Sequence, residues 1–329
     1  MRDFDYSDLK NKTWDHEILS YVAKIHEYKG RQALFLQQEP VELQRLIEVA
    51  MIQSTESSNR IEGIVTTRSR LLQLVENKTT PRNHDEKEIL GYRNVLNIIH
   101  SSYEYIPLRS NYILQLHRDL LQYTPFSYGG KYKTAPNEIE QICDNYQKAL
   151  DLEIVDPLIL IPCVIFDFLC VHPFHDGNGR MSHLLTLLLL YRNGYMVGKY
   201  ISIEKEIADT KEAYYQALEQ ADAGWHEGAN DPTPFIKYML GILLKCYREF
   251  EERLTISEKS GKRSTVYDIV KNYAISTLGT FTKKDVVENC PSVARSSIEA
   301  ALKKLVDDGT LHRKGKGRSS HYIRSDSTK

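Results

Sequence analysis

Two apolar runs enclosing nine mostly polar residues constrain this chain more than anything else in it. Residues 155–171 read VDPLILIPCVIFDFLCV and residues 181–191 read MSHLLTLLLLY, both too apolar all round for a surface helix. Such runs predict two buried helices at the centre of a helical core. The segment between them, His172, Pro173, Phe174, His175, Asp176, Gly177, Asn178, Gly179 and Arg180, is then a loop carried by that core. Pro173 cannot continue the incoming helix, the glycines permit close backbone approaches, and the outgoing helix is expected to begin near Arg180. Polar chemistry framed by buried helices points to a site.

A helix start preceded by Gly-Asn-Gly is an anion site, because free N–H donors and the positive end of the helix dipole converge there. Phosphate is the natural guest. Asp176 offers a hard oxygen ligand suited to Mg²⁺ shared with a polyphosphate, Arg180 a forked cation for further phosphate charge, and His172 a proton acceptor. A metal-dependent phosphohydrolase of the HD type would use His175 and Asp176 but leave Gly-Asn-Gly-Arg unexplained. A plain turn needs one glycine and no particular histidine.

The stretch resembles the signature of the Fic (filamentation induced by cAMP) family, H-P-F-x-[DE]-G-N-G-R-x-x-R. Every specified position from His172 to Arg180 matches, and His183 stands where the family has its second Arg. The resemblance implies an all-α Fic-type core with a short β-hairpin flap and Mg²⁺-dependent transfer of AMP from ATP to a protein hydroxyl. It makes His172 the general base, Asp176 the metal ligand, Gly177, Asn178 and Gly179 the anion hole, Phe174 the anchor of the loop and Arg180 a phosphate contact. Upstream, Ser58, Asn59, Arg60, Ile61, Glu62 and Gly63 match the family's inhibitory pattern [ST]-x-x-x-E-[GN]. The implied inhibitor is Glu62, with Ser58 on the same helical face, and its expected partner is Arg180 or a protonated His183, which would make inhibition weak or pH-dependent. An ordinary helix end capped by Gly63 is the plainer reading of that pattern.

Composition sets the frame. The 329 residues carry a net charge of −1, but residues 261–329 hold 14 Lys and Arg against 7 Asp and Glu, so a C-terminal piece of +7 follows a body of −8. Five cysteines form no C-x-x-C pair and the N-terminus lacks an apolar signal core, so reduced thiols, a cytoplasmic setting and no membrane span are expected. No G-x-x-x-x-G-K-[ST] supports a P-loop ATPase.

Taken in order, residues 1–63 are expected to be N-terminal helices carrying the inhibitory pattern, one ending near Gly30 and the next starting at Pro40. Residues 64–256 form the catalytic core, opening with helices over 64–122. Ser127–Ile142 breaks the pattern at Gly129, Gly130 and Pro136 and reads as the hairpin flap. Such a flap would align a target peptide by main-chain hydrogen bonds, tuned by Lys131, Lys133, Asn137 and Glu138. Tyr215 is a candidate wall for adenine.

A polar linker at 257–264 precedes a unit at 265–325 with three helices, the second capped by Thr282, and two strands around Gly315 and Gly317. This resembles a winged helix domain. Its third helix would offer Ser292, Arg295, Ser296 and Ser297 to DNA bases, and Arg313, Lys314, Lys316 and Arg318 on the wing would meet phosphates; docking of a protein is the other use of this fold. The expected activity is therefore AMP transfer to a Tyr, Thr or Ser hydroxyl of a protein, the chain itself included, with oligomerisation left open. Its rivals are a nucleotide-sensing DNA-binding regulator and a hydrolase that removes AMP using Glu62.

Overall fold

The computed structural model describes residues 4–324 apart from 39, 77, 134–135, 260–265, 277–279, 290–292, 294 and 316–319. The chain divides into compact units Met1–Thr255 and Ile256–Lys329. The first is built from α1 (His16–Gln38), α2 (Pro40–Ile61), α3 (Arg68–Val75), α4 (His84–Ser102), α5 (Ser110–Leu120), α6 (Pro136–Asp151), α7 (Pro157–Val171), α8 (Asn178–Arg192), α9 (Ile203–Asp209), α10 (Lys211–Asp222) and residues 233–255 of α11 (Thr233–Lys259). The two apolar runs are α7 and α8, packed on each other and buried along nearly their whole length, as helices without a polar face must be. Among the described residues no helix is long and apolar enough to cross a membrane.

Polar groups enclosed by this packing are paired. Asp167, in the middle of α7, accepts from Tyr6 Oη at 3.1 Å and Trp225 Nε1 at 2.8 Å, which ties both chain segments to the central helix. α2 lies against α4, α8 and α9. Its buried stripe Leu43, Leu46, Ala50, Ser54, Ser58 turns from apolar to polar along the helix. Ser54 reaches Ser202 and Glu204 at 2.9 and 2.7 Å, and Glu204 also accepts from Tyr92 Oη at 2.9 Å. Burial raises the pKa of Glu204, so the carboxyl depends on those donors for any charge it carries.

Four expectations about elements need correction. α1 continues through Gly30 to Gln38, because Gly30 adopts no positive φ and nothing there forces a turn. The expected hairpin over Ser127–Ile142 is absent among the described residues. Instead Pro136 opens α6, and Ile139, Ile142, Cys143 and Tyr146 bury one helical face, which puts Asn137 and Glu138 in the first helical turn. Helix α11 runs through residues 257–259 of the expected linker, since Ser-Glu-Lys contains no helix breaker. A third strand in the C-terminal unit was not foreseen.

That second unit comprises α12 (Val266–Ser276), β1 (Thr280–Thr282), α13 (Lys283–Asn289), α14 (Arg295–Asp307), β2 (Leu311–Lys314) and β3 (His321–Arg324). The sheet is antiparallel in the order β1-β3-β2, with Phe281 opposite Tyr322 and Arg313 opposite Tyr322. Its core gathers Val270, Phe281, Val286, Ile298, Leu302, Leu305 and Leu311. Thr282 caps α13 as expected: its Oγ1 accepts from Asp285 N–H at 3.3 Å, and Asp285 Oδ2 accepts from Thr282 N–H at 2.7 Å.

Candidate active site

The loop of residues 172–180 is held from within. His172 ends α7 in the left-handed region, at φ 50°, and its Nδ1 lies 3.3 Å from Leu169 O. A carbonyl only accepts, so Nδ1 carries a proton in this contact, and in the neutral ring the lone pair falls on Nε2 of an exposed side chain. Phe174 is fully buried, stacked on His117, with Tyr132 and Phe168 tilted against it. Asn178 closes the loop on itself: Oδ1 accepts from Phe174 N–H at 2.9 Å and Nδ2 donates to Phe174 O at 2.8 Å. Its side chain is thus committed, and its contribution to an anion site is its main-chain N–H.

α8 starts directly after Gly177, whose φ of 81° is a conformation that favours glycine. The first intrahelical bond runs from Met181 N–H to Gly177 O, so Asn178, Gly179 and Arg180 are first-turn residues whose N–H groups have no partner within the helix. Asp176, with 42% of its side chain exposed, sits at the mouth of this turn. Among the described residues no cluster of three or more His, Cys, Asp or Glu is arranged to hold a metal. A single half-exposed carboxylate beside an anion site still suits Mg²⁺, which takes most of its ligands from phosphate oxygens and water.

Arg180 differs from expectation. Its side chain is 1% exposed, and its terminal nitrogens face Glu88 of α4 and, at 3.0 Å, Asp176. Two carboxylates already neutralise the guanidinium, so it orients Asp176 instead of presenting a free fork to phosphate. Glu88 was missed by the sequence reading; it also accepts from His84 Nε2 at 2.7 Å.

Glu62 lies just past the end of α2 and reaches the start of α8. A Cβ on Gly179 would sit 2.0 Å from Glu62 Oε1, so the carboxylate occupies the space that only a glycine leaves open. The residue keeps solvent on one side. Loss of water around its carboxylate is the largest influence on its pKa and raises it, with Asp176 adding to the rise and Arg180, Lys211 and His172 opposing it. Lys211 Nζ donates to Ile61 O at 2.7 Å and caps the helix end that carries Glu62.

His183 is not the partner of Glu62. It is buried and shares a 2.8 Å hydrogen bond with Ser58 through Nδ1, while Nε2 has no hydrogen-bond partner, and the residue lines a small cavity with Thr186, Glu204 and Tyr214. Burial pulls its pKa down to about 4, so it carries no charge at neutral pH and the expected His183-driven pH dependence of inhibition is lost. Tyr215 is 46% exposed, edge-on to Tyr214, with Lys211 Nζ 5.7 Å from its ring centroid. Burial and then the Glu62 carboxylate raise its hydroxyl pKa.

Lys131 and Lys133 are exposed in the segment before α6, and Lys133 N–H donates to Pro173 O at 2.8 Å. In the second unit Arg295 and Ser296 are exposed at the start of α14, Ser297 is half-buried, and Arg313 and Lys314 are exposed on β2. Ser292, Lys316 and Arg318 lie outside the described residues.

Residues 107–190, which include this loop, match the family model described as Fic/DOC family. Protein adenylyltransferase Fic of Nematostella vectensis is 27% identical over 254 residues, covering 70% of this chain and 55% of that protein. The protein of the same name in Drosophila melanogaster is 26% identical over 236 residues, covering 66% and 43%. The chain therefore spans about half the length of the curated relatives it matches. A Fic family protein from Desulfovibrio desulfuricans G20 shares the fold with a TM-score of 0.59 at 21% identity, over 97% of this chain and 98% of that one. Fic-1 from C. elegans does so with a TM-score of 0.61 at 19% identity, over 73% and 72%.

Proposed function

We propose that the chain is a protein adenylyltransferase that moves AMP from ATP onto a Tyr, Thr or Ser hydroxyl of a protein. The observation that carries this reading is one short loop that joins a proton-accepting His172 Nε2 to the open first turn of α8, with Asp176 at its mouth. His172 takes the hydroxyl proton as the hydroxyl oxygen bonds to the α-phosphorus and the bond to the β-phosphate oxygen breaks, releasing pyrophosphate. The N–H groups of Asn178, Gly179 and Arg180 stabilise the phosphate charge that builds up on the way. Bound through Asp176 and the phosphates, Mg²⁺ would spread the charge of the departing pyrophosphate. Arg180 and Glu88 keep Asp176 in place, and Phe174 and Asn178 keep the loop rigid.

Glu62 acts as the inhibitor in this reading, because its carboxylate competes with phosphate for the start of α8. The C-terminal unit we read as a winged helix module, with α14 and the strand pair as its binding elements and DNA as its partner through Arg295, Ser296, Arg313 and Lys314. ATP labelled on the α-phosphate separates the catalytic reading from its rivals. Covalent label on protein is expected from the α position and none from the γ position. Label from the γ position would indicate a kinase, and binding to DNA with no protein labelled would favour a regulator.

A further inference from the structure

His117, in the last turns of α5, belongs neither to the motif nor to the segment before α6, yet it touches both. Its ring is 0% exposed and stacks on Phe174 with centroids 3.6 Å apart and planes 13° from parallel. Gly130 N–H donates to Nδ1 at 3.0 Å, and Nε2 lies 3.0 Å from Asp176 O. A main-chain N–H can only donate and a carbonyl can only accept, so the two contacts together require one tautomer, with the proton on Nε2. A charged ring would set two N–H groups against each other at Gly130, so the contact needs the neutral form. The same two segments also meet where Lys133 N–H donates to Pro173 O and where Tyr132 and Tyr128 lie against Phe174 and His175, and His117 adds a polar link at both of its nitrogens.

We propose that His117 is a positioning residue that locks the target-docking segment at Gly130 to the metal- and phosphate-binding loop at Asp176. The functional meaning of the two ends rests on the adenylyltransferase reading, whereas the mechanical link rests on geometry alone. One rigid ring then fixes the distance between the place where a target backbone would align and the place where a nucleotide would bind. Its two nitrogens act on different ends, so they are separable by substitution. His117→Asn keeps an acceptor near the position of Nδ1 and loses the donor to Asp176. His117→Gln keeps a donor near the position of Nε2 and loses the acceptor for Gly130.

The test is hydrogen exchange of the full chain, read by mass spectrometry in peptides covering 127–133 and 173–181. Both variants give up the stacking on Phe174, so the readout is the difference between them: 127–133 is expected to exchange about fivefold faster in the Gln variant than in the Asn variant, and 173–181 about fivefold faster in the Asn variant than in the Gln variant, as the loss of one hydrogen bond predicts. In turnover assays the Gln variant raises KM for the protein target at constant kcat, and the Asn variant lowers kcat and raises KM for ATP. Equal changes in both peptides with either variant, or no change in either, overturn the proposal. Should either variant fail to fold, nitrogen NMR of the wild-type protein labelled at histidine decides. His117 should hold its proton on Nε2 alone; the other tautomer refutes the link. The split exchange in the variants, or the expected tautomer in the wild type, together with no AMP transfer by the wild-type protein, would sink the catalytic reading and leave the link standing.

Discussion

Replacing Glu62 with Gly should tighten Mg²⁺–ATP binding by roughly 10- to 100-fold. The carboxylate lies against the first turn of α8, where Gly179 leaves room for it. A phosphate entering that turn would meet the carboxylate at about 4 Å, a repulsion of about 4 kcal/mol per pair of unit charges at an effective dielectric constant of about 20. Water on the open side of Glu62 screens part of this, leaving about 1.5–3 kcal/mol, which is the stated factor. Glu62→Gln keeps the side-chain volume and removes the charge, so it should recover most of the gain if charge is the cause. Isothermal titration of wild type, Glu62→Gly and Glu62→Gln with Mg²⁺–ATP measures the three affinities. The pH dependence has a definite sign. Because the pKa of Glu62 is raised, acidification protonates it sooner than an ordinary glutamate, and the wild type should approach the Gln variant as pH falls through that raised value. Changes below twofold for both variants at neutral pH would refute the competition argument.

Three further outcomes follow from the same geometry. Asn178→Ala removes both side-chain bonds to Phe174 and should cost about 1–3 kcal/mol in denaturant unfolding, with a fall in kcat as the loop loosens. Asp176→Ala should raise the Mg²⁺ concentration required for half-maximal activity tenfold or more, and also leave Arg180 with Glu88 alone, which activity at graded Mg²⁺ would reveal. His117 and His183 are buried neutral with pKa values of about 4, below the unfolded value of about 6.5. The unfolded state then binds more protons between those limits, so their contribution is complete above pH 6.5 and is lost toward pH 4, by up to about 3 kcal/mol each. Melting curves from pH 7 to pH 4.5 should show the first unit's transition falling, and a flat profile would contradict the buried neutral state.

The loop was legible because His172, Asp176 and the glycines stand within nine residues of one another between two runs that can only be buried helices. Glu62 was legible as a pattern, and its contact with Gly179 needed the structure. Glu88, His117 and Lys211 were missed because each comes from a different helix, and nothing local marks a helix residue as part of a distant loop. A signal did exist: His117 shares the buried face of α5 with Ile113, Leu116 and Leu120, and Glu88 that of α4 with Tyr92, Val95 and Ile99. A polar residue in an apolar stripe must find a partner, and here the partners are the motif. The misread hairpin has the opposite cause, since glycines and a proline at a helix start look like a turn until Ile139, Ile142 and Tyr146 are read at helical spacing. Strand β1 spans three residues, too few to show alternation.

In the proposed mechanism His172 drives transfer of AMP to protein. Its most direct test incubates the Glu62→Gly protein and a Glu62→Gly, His172→Ala double variant with Mg²⁺, ATP labelled on the α-phosphate and a protein extract. Acid-precipitable label is then counted on the chain itself and on the added proteins. Strong label is expected with the first and a loss of roughly 10²–10⁴-fold with the second. Equal label from both, or none from either, would contradict it.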